Sequence, residues 1–446
     1  MTIGLRAGHA GVAAAAVDTV GGHPAVVASV AGGERGGALT GADGDTLVAA
    51  AEAALDARVP LVLLLASSGA DADAGMDGLR AWGRAAAAVA RCSGVVPVVA
   101  AAVGPVVSGS ALLLGLADQV VMTAGAYAFV TGPSTVEAVT GERLDADGLG
   151  GAHVHGRRTG VASLVAGDAD EAVALVGTLL GHLPPHTDVP APPRPTADPT
   201  WRPTPEAGAV LPATASGSYD VRDVVAAVVD DGDLLELRPH WAPNLVTALA
   251  AIGGRRIGVV ANQPRSIAGT LDIPSSQKGA RFVAFCDAFN LPLLTFVDTP
   301  GFYPGKDLEW RGMIRHGAQL AFAYARATVP RVCVVLRKAY GGAYIVMDSA
   351  TMGSDLCLAW PSAEVAVMGA KGAVEILHRR EPPEVREELE AAYAERLLNP
   401  YVAAERGLLD AVIDPADTRR EVASALELLA DKRERLRPRR HDNTPL

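Results

Sequence analysis

Aromatic residues are scarce in this chain. Phe, Trp and Tyr together make up 4% of its 446 residues, too few for the stacking platforms on which single-stranded bases lie. Positive charge is also in the minority, with 39 Lys and Arg against 50 Asp and Glu and a net charge of −11. A large nucleic-acid surface needs the opposite balance, so no nucleic-acid partner is expected and the charge reads as solubility. Cysteine is sparse. Cys92, Cys286, Cys333 and Cys357 stand far apart with no C-x-x-C spacing, which leaves zinc ribbons and redox pairs without support. Each sits in apolar text and reads as a core thiol in a reducing cytoplasm. No strongly apolar run of membrane-spanning length is free of Gly and charge, so no membrane span is expected. The opening "MTIGLRAGHAGVAAAAVDTVGG" lacks a signal layout, because its apolar stretch is mostly Ala and leads straight into a strand. Nucleotide loops are missing too: neither G-x-G-x-x-G nor G-x-x-x-x-G-K-[ST] occurs.

What remains is apolar and rich in small residues: 49% hydrophobic, with 48 Gly. The length exceeds one ordinary domain and predicts two. A boundary is visible at Pro184–Pro205, "PPHTDVPAPPRPTADPTWRPTP", where nine prolines block helix and ladder alike. It reads as an extended polyproline-like linker, residues 184–205, between an N-terminal domain, 1–183, and a C-terminal domain, 206–446.

Each half follows one plan. In the first, "VPLVLLLASSG" reads as a buried strand, "MDGLRAWGRAAAAVARCSG" as a helix, "VVPVVAAAVG" as a second strand and "SGSALLLGLAD" as a second helix. In the second, "LPLLTFVDTPG", "EWRGMIRHGAQLAFAYARAT", "VPRVCVVLRKAYGG" and "AYIVMDSATMG" repeat that order. Apolar runs alternating with helical periods predict an α/β fold built of βαβ units on a mostly parallel sheet. The halves also align in detail: Gly109 falls on Gly342, 233 positions later. This is a tandem duplication of a whole domain.

Glycines crowd the ends of these strands, at Gly341-Gly342 and between Gly369 and Gly372. A strand that ends in Gly-Gly before a helix exposes amide donors where the helix dipole favours negative charge. That is the geometry of an oxyanion hole, although paired glycines also serve close helix–strand packing. No Ser-His-Asp order accompanies them.

Longer stretches carry a resemblance. "ANQP" at 261–264, "VDTPGFYPG" at 297–305, "GMIRHGAQLAFAYARATVPRVCVVLRKAYGGAY", "SDLCLAWPSAEVAVMGAKGAVEILHRR" and "NPYVAAERGLLDAVI" together resemble the carboxyltransferase (β) subunit of biotin-dependent acyl-CoA carboxylases, of the propionyl-CoA or broad acyl-CoA type. The first half is similar through "TGPSTVEAVTGE" and "LGGAHVHGRRTGVAS". The resemblance implies a tandem crotonase (ClpP/crotonase-like) fold. It implies an enzyme that moves a carboxyl group from carboxybiotin, held on a separate carrier protein, to the α-carbon of a short acyl-CoA such as acetyl- or propionyl-CoA, giving malonyl- or methylmalonyl-CoA. It further implies a homo-oligomer of up to six subunits, with sites between the N half of one subunit and the C half of another. A biotin carboxylase and a biotin carrier must come from other chains, since neither an ATP-grasp glycine loop nor an "MKM"-type biotinylation site is present.

Negative charge develops on two oxygens in this chemistry, the ureido oxygen of biotin and the thioester oxygen, and the family supplies one amide pair per domain. The resemblance places these at Gly372-Ala373 and at Ser108-Gly109. It places the biotin pocket at Ala339, Tyr340, Gly341, Gly342, Ala343 and Tyr344, the acyl-selecting position at Glu375, and the CoA contact at Ser68, Gly69 and Ala70. It implies no metal in this chain.

The N half departs from the family pattern. It is expected to be shortened by the family's first arm and strands. The family's "SGGARIQEG" stands as "SSGADADAG", with Asp71 in place of an arginine and Asp73 beside it, and two acids near CoA phosphates should weaken binding. "PCAGG" stands as "PVVSG", and Ser108 cannot take glycine's positive φ cheaply. These departures leave open a carrier-protein thioester as substrate, a non-catalytic assembly subunit, in a homo- or hetero-oligomer, or a decarboxylase, the last disfavoured by the intact C half. His153 and His155 want a third ligand to make a metal site. Lys371 reads as solvated, Asp298 as either a base or a turn residue before Pro300, and "EPPEVREELEAAYAERLL" as a scaffold helix.

Overall fold

The computed structural model describes residues 3–5, 11–214, 217–432, 434, 436–438, 440, 441 and 443–445. It divides into two compact units, one of Met1–Pro192 with Ala288–Asn290, the other of Pro193–Asp287 with Leu291–Leu446. Residues 184–192 therefore pack with the first unit and 193–205 with the second. The proline-rich stretch is tied down rather than loose. Thr187 N donates to Val95 O, Arg194 N to Gly254 O, and Thr204 N to Ala416 O.

The first unit is a sheet in the order β1-β2-β3-β4-β5-β6-β8, with β7 beside β5. Its strands are β1 Ile3–Leu5, β2 Ala13–Val20, β3 His23–Val30, β4 Leu61–Ser67, β5 Val98–Val107, β6 Gln119–Thr123, β7 Ala128–Phe129 and β8 Leu164–Ala166. β1, β2 and β3 are antiparallel, and every pairing from β3 onward is parallel. Parallel strands covered on both faces need apolar side chains throughout, and "LVLLLAS" in β4 supplies them. Helices α1 Gly41–Ala57 and α2 Met76–Cys92 turn Leu47, Ala50, Ala54, Ala85 and Ala88 into a core with Leu63, Leu65, Val98 and Met122. Alanines on α1 and α2 let the two helices approach closely.

The second unit repeats the plan as β16-β14-β13-β12-β11-β10-β9, with β15 beside β13. These are β9 Leu235–Glu236, β10 Leu245–Ile252, β11 Arg255–Asn262, β12 Leu293–Thr299, β13 Arg331–Tyr340, β14 Leu356–Ala359, β15 Glu364–Ala366 and β16 Ala411–Val412. The duplication extends to the turns. Gly21-Gly22 joins β2 to β3 and Gly253-Gly254 joins β10 to β11, all four with positive φ. Two-residue hairpins of matching twist require that conformation, which glycine adopts without strain. It extends to irregularities as well. The β4–β5 register slips between Leu65 and Ser67, and the β12–β13 register slips between Val297 and Thr299. In each sheet the two central strands thus part company at the same point, just before the glycine-rich turns.

Candidate functional site

In the first unit β5 runs into helix α3, Gly109–Leu116, through Ser108 at φ 62°, ψ −132°. In the second, β13 runs into the short helix Gly341–Val346 through Gly341 at φ 59°. The same bend is made by serine in one copy and glycine in the other. The serine takes the positive φ, and holding a residue with a Cβ in so sparsely populated a region costs about 1–3 kcal/mol.

The two N-half candidate stretches lie together. A Cβ built on Gly69 (φ 105°) would stand 3.1 Å from the Ser108 Cβ and from Val107 O, so the Ser68-Gly69-Ala70 turn at the end of β4 rests against the end of β5. Only glycine permits this approach. The distribution of amide donors differs from expectation. Ser108 N donates to Phe129 O at 2.9 Å, continuing the β5–β7 ladder. It is engaged, and the Ser108 side of the expected amide pair has no donor to give. Gly109 N and Ala70 N meet no acceptor among the described residues. The donor set offered by this unit is therefore Ala70 with Gly109. Trp82 packs over the Gly109 α-carbon, where an added Cβ would fall 2.8 Å from its ring.

Asp71 corrects another expectation. It is buried, 5% exposed, and its Oδ1 accepts from Asp73 N at 2.9 Å. Its carboxylate bonds within the local turn, while Asp73 is exposed.

In the second unit the stretch 339–344 meets the turn at 367–372. β15 pairs with Lys338–Tyr340, and a Cβ on Gly341 would meet Val367 O at 3.0 Å. A Cβ on Gly369 would meet the Tyr340 ring at 3.1 Å. Both tyrosines are turned inward. Tyr340 bonds through its hydroxyl to the Glu364 carboxylate. Tyr344 is buried among Cys333, Cys357 and Asp348, and burial pushes its hydroxyl pKa up. What the stretch presents is the backbone of Gly341-Gly342, with Gly342 exposed and Ala339 and Ala343 buried beneath. Gly342 N and Ala343 N meet no acceptor among the described residues. In the helix Ala370–Leu377, Ala373 N donates to Gly369 O at 3.1 Å while Gly372 N meets no acceptor among the described residues. Of the expected pair Gly372-Ala373, one amide is open and one belongs to the helix. Glu375 is exposed on the same helix.

Asp298 is not a free base. Its carboxylate, 1% exposed, accepts from Arg337 Nε at 3.0 Å, Tyr219 OH at 2.9 Å and Lys338 N at 3.1 Å. It fastens the end of β12 to the end of β13, just below the glycine turn. Burial raises its pKa, against the Arg337 charge that lowers it. Both ring nitrogens of His155 are occupied, by Thr159 Oγ1 and Ala128 O at 2.8 Å each, and His153 lies 3.5 Å from Asp147. Among the described residues no three His, Cys, Asp or Glu side chains gather as a metal site, and no helix is long and apolar enough to cross a membrane. The helix Pro383–Leu397 has no buried residue.

Two sheets of one plan, each ending in a positive-φ bend with open amides, present backbone donors of the kind that can stabilise a negative oxygen. The model of the carboxyl transferase domain matches residues 7–444. The methylmalonyl-CoA carboxyltransferase 12S subunit of Propionibacterium freudenreichii subsp. shermanii is 44% identical over 434 residues, 96% of this chain and 82% of its own length. The propionyl-CoA carboxylase beta chain of Saccharopolyspora erythraea is 43% identical over 92% of this chain and 79% of its own. The methylmalonyl-CoA decarboxylase subunit alpha of Veillonella parvula is 40% identical over 92% and 81%. Among solved structures, the transcarboxylase 12S hexamer with methylmalonyl-coenzyme A and methylmalonic acid bound superposes with a TM-score of 0.95 at 43% identity, over 97% of this chain and 85% of that one.

The chain belongs to the carboxyl transferase family, the carboxyltransferases of biotin-dependent acyl-CoA carboxylases. It is an enzyme with the crotonase-type fold in tandem, as the motifs of the second half imply. The family match runs from residue 7 to residue 444 of this chain. Nor does an intact C half speak against decarboxylation, since a decarboxylase subunit is similar along 92% of this chain.

Proposed function

We propose that this chain transfers a carboxyl group from carboxybiotin, presented by a separate carrier chain, to the α-carbon of a short acyl-CoA such as acetyl- or propionyl-CoA. The observation that carries the reading is the pair of matching strand exits, each with amides left open by the fold. Ala70 and Gly109 amides would hold the thioester oxygen as negative charge develops on it, and such a donor typically speeds the step by about a hundredfold or more. The amides of Gly342, Ala343 and Gly372 would hold the ureido oxygen. Gly341 fits that cradle, because its positive φ and the nearby Val367 carbonyl leave no room for a side chain. The carboxybiotin supplies the carboxyl group when bound. Tyr340 and Tyr344 would support the floor from within, and Glu375 would stand beside the acyl chain, where its carboxylate restricts chain length or admits a polar acyl group. The enzyme would work in the cytoplasm with a biotin carboxylase and a biotinylated carrier, as an oligomer, and without a metal of its own.

The test is fixation of radiolabelled bicarbonate by the purified protein with a biotin carboxylase, a biotinylated carrier and ATP. Acetyl-, propionyl- and butyryl-CoA are offered in parallel, with Gly372→Pro as the control that removes one amide. Label on one ester, lost in the control, is expected. Label on none, with the protein folded and bound to carrier, overturns the reading in favour of a carrier-protein thioester or a silent assembly role. The similarity to a decarboxylase subunit favours a second reading, the reverse direction. It predicts carbon dioxide release from methylmalonyl- or malonyl-CoA in the presence of the uncarboxylated carrier.

A further inference from the structure

The bend at Ser108 places more in the first unit than a pair of amides. We propose that the Ser108 hydroxyl, not its amide, is a third hydrogen-bond donor to the thioester oxygen, so that the acyl-side hole consists of Ala70 N, Gly109 N and Ser108 Oγ. The proposal rests on the acyl-CoA reading above.

Ser108 bends at φ 62°, ψ −132°, and in the other copy the matching positive φ, 59°, falls on a glycine, Gly341. A non-glycine residue held there carries strain, and strain of this kind persists where the surroundings impose it and gathers at functional positions. Ser108 N is already committed to Phe129 O at 2.9 Å. Its side chain is not committed. Ser108 is exposed, and its hydroxyl meets no hydrogen-bond partner among the described residues. It lies beside the Ser68-Gly69-Ala70 turn and immediately precedes the Gly109 amide. A Cβ placed on Gly69 would lie 3.8 Å from the Ser108 Oγ, and the next amide along, Ala70 N, is one of the two open donors.

The hydroxyl is suited to donate and not to attack. A serine nucleophile needs a base to take its proton. No carboxylate or imidazole bonds to this one among the described residues, and the ring nitrogens of His155 are held by Thr159 and Ala128. Without a base the hydroxyl keeps its proton, and a hydroxyl that keeps its proton is an oxyanion donor. No bond is made or broken at Ser108.

Two variants separate this role from a structural one. Ser108→Ala keeps the Cβ and its strain but deletes the donor. Ser108→Gly deletes the donor and relieves the strain. The fixation assay is run on both, together with isotope-edited infrared spectra of the bound thioester carbonyl, labelled with carbon-13. Both variants are expected to lose kcat by about ten- to a hundredfold, somewhat less than loss of an essential amide, with KM changed little. Ser108→Gly loses activity although it melts higher than the parent. The carbonyl stretch of the bound ester moves back toward its frequency in water in both. Full kcat in either variant, or a carbonyl frequency equal to that of the parent, overturns the proposal. If Ser108→Ala does not fold, Ser108→Gly decides alone, since it relaxes the backbone. A parent that fixes no label on any ester refutes the acyl-CoA reading, and a parent that fixes label while its variants match it refutes only the role of the hydroxyl.

Discussion

Gly341→Ala is the perturbation whose size follows most directly from the geometry. The residue sits at φ 59°, and the new methyl would approach Val367 O to 3.0 Å. Holding an L-residue in the left-handed region costs about 1–2 kcal/mol. The loss of glycine's freedom in the unfolded chain returns about 0.4–1 kcal/mol. The carbonyl contact is tighter than about nine in ten real Cβ contacts, so the Val367 backbone, just past β15, must retreat by a few tenths of an ångström. The net is a destabilisation of about 1 kcal/mol, or roughly 2–4 °C in the melting of a unit of this size. Activity should fall far more. A shift of the bend re-aims Gly342 N and Ala343 N, and loss of one aligned donor costs on the order of a hundredfold in kcat. Differential scanning fluorimetry and the bicarbonate assay read the two effects separately. A variant that melts with the parent and keeps its kcat would show that Gly341 is ordinary packing and that the amides behind it hold no developing charge.

Two further outcomes follow from buried acids. Asp348, fully buried, carries a pKa raised to about 6 by burial, in spite of Arg331 Nη1 at 2.8 Å from its Oδ1. A folded value above the unfolded one, about 3.9, means that the native state holds the proton more tightly. Its contribution is therefore greatest below about pH 4 and is lost as pH rises through about 6, by about 3 kcal/mol in all. Between pH 4.5 and 7 the urea midpoint of the parent should fall relative to that of Asp348→Asn, and a constant gap between them, or one that moves the other way, contradicts it. Asp71→Arg, which restores the family's arginine, should lower the melting temperature without tightening CoA binding, because the position is buried and its carboxylate bonds Asp73 N. Isothermal titration with CoA showing a clear gain in affinity would contradict the inward placement.

The parallel strands were legible because burial on both faces writes them as mainly apolar runs, as in β4 and β5, and in β12 and β13 between polar residues such as Thr295, Asp298, Arg331, Arg337 and Lys338. The antiparallel hairpins were not read, although "VGGH" and "IGGR" carry the two-glycine signal at 20–23 and 252–255. The helix read from Glu309 breaks instead at Gly312, φ 89°, into Lys306–Trp310 and Met313–Arg326. The helix read as running on from Ala343 stops at Val346, where Asp348 turns to φ 61° to meet Arg331. Both stops depend on partners distant in sequence or on a single left-handed residue. The site divides in the same way. Its glycines stand out in the sequence, but which amide is open does not. Ser108 N is consumed by Phe129 in a strand of two residues, too short to leave a pattern, and Ala70 is freed by a turn whose shape the neighbouring Gly69 sets.

Open backbone amides at both strand exits carry a practical consequence for genetics. An amide belongs to every residue except proline, so exchanging one side chain for a methyl group leaves it in place. An alanine scan passes over Ala70 and Ala343, which are alanine already, and at Gly372, where an added Cβ meets nothing nearer than 3.8 Å, it leaves the donor chemically intact, so much of the reactive machinery would go unnoticed. Damage would surface instead at neighbours such as Gly69 and Gly341, whose torsions aim the donors. Sequence drift is correspondingly cheap at a donor position with room for a side chain, such as Gly372, and not at Gly109, where Trp82 stands in the way, at the buried Ala343, or at the bends. Ser108, holding a left-handed torsion without glycine's freedom, is where this chain has broken that rule.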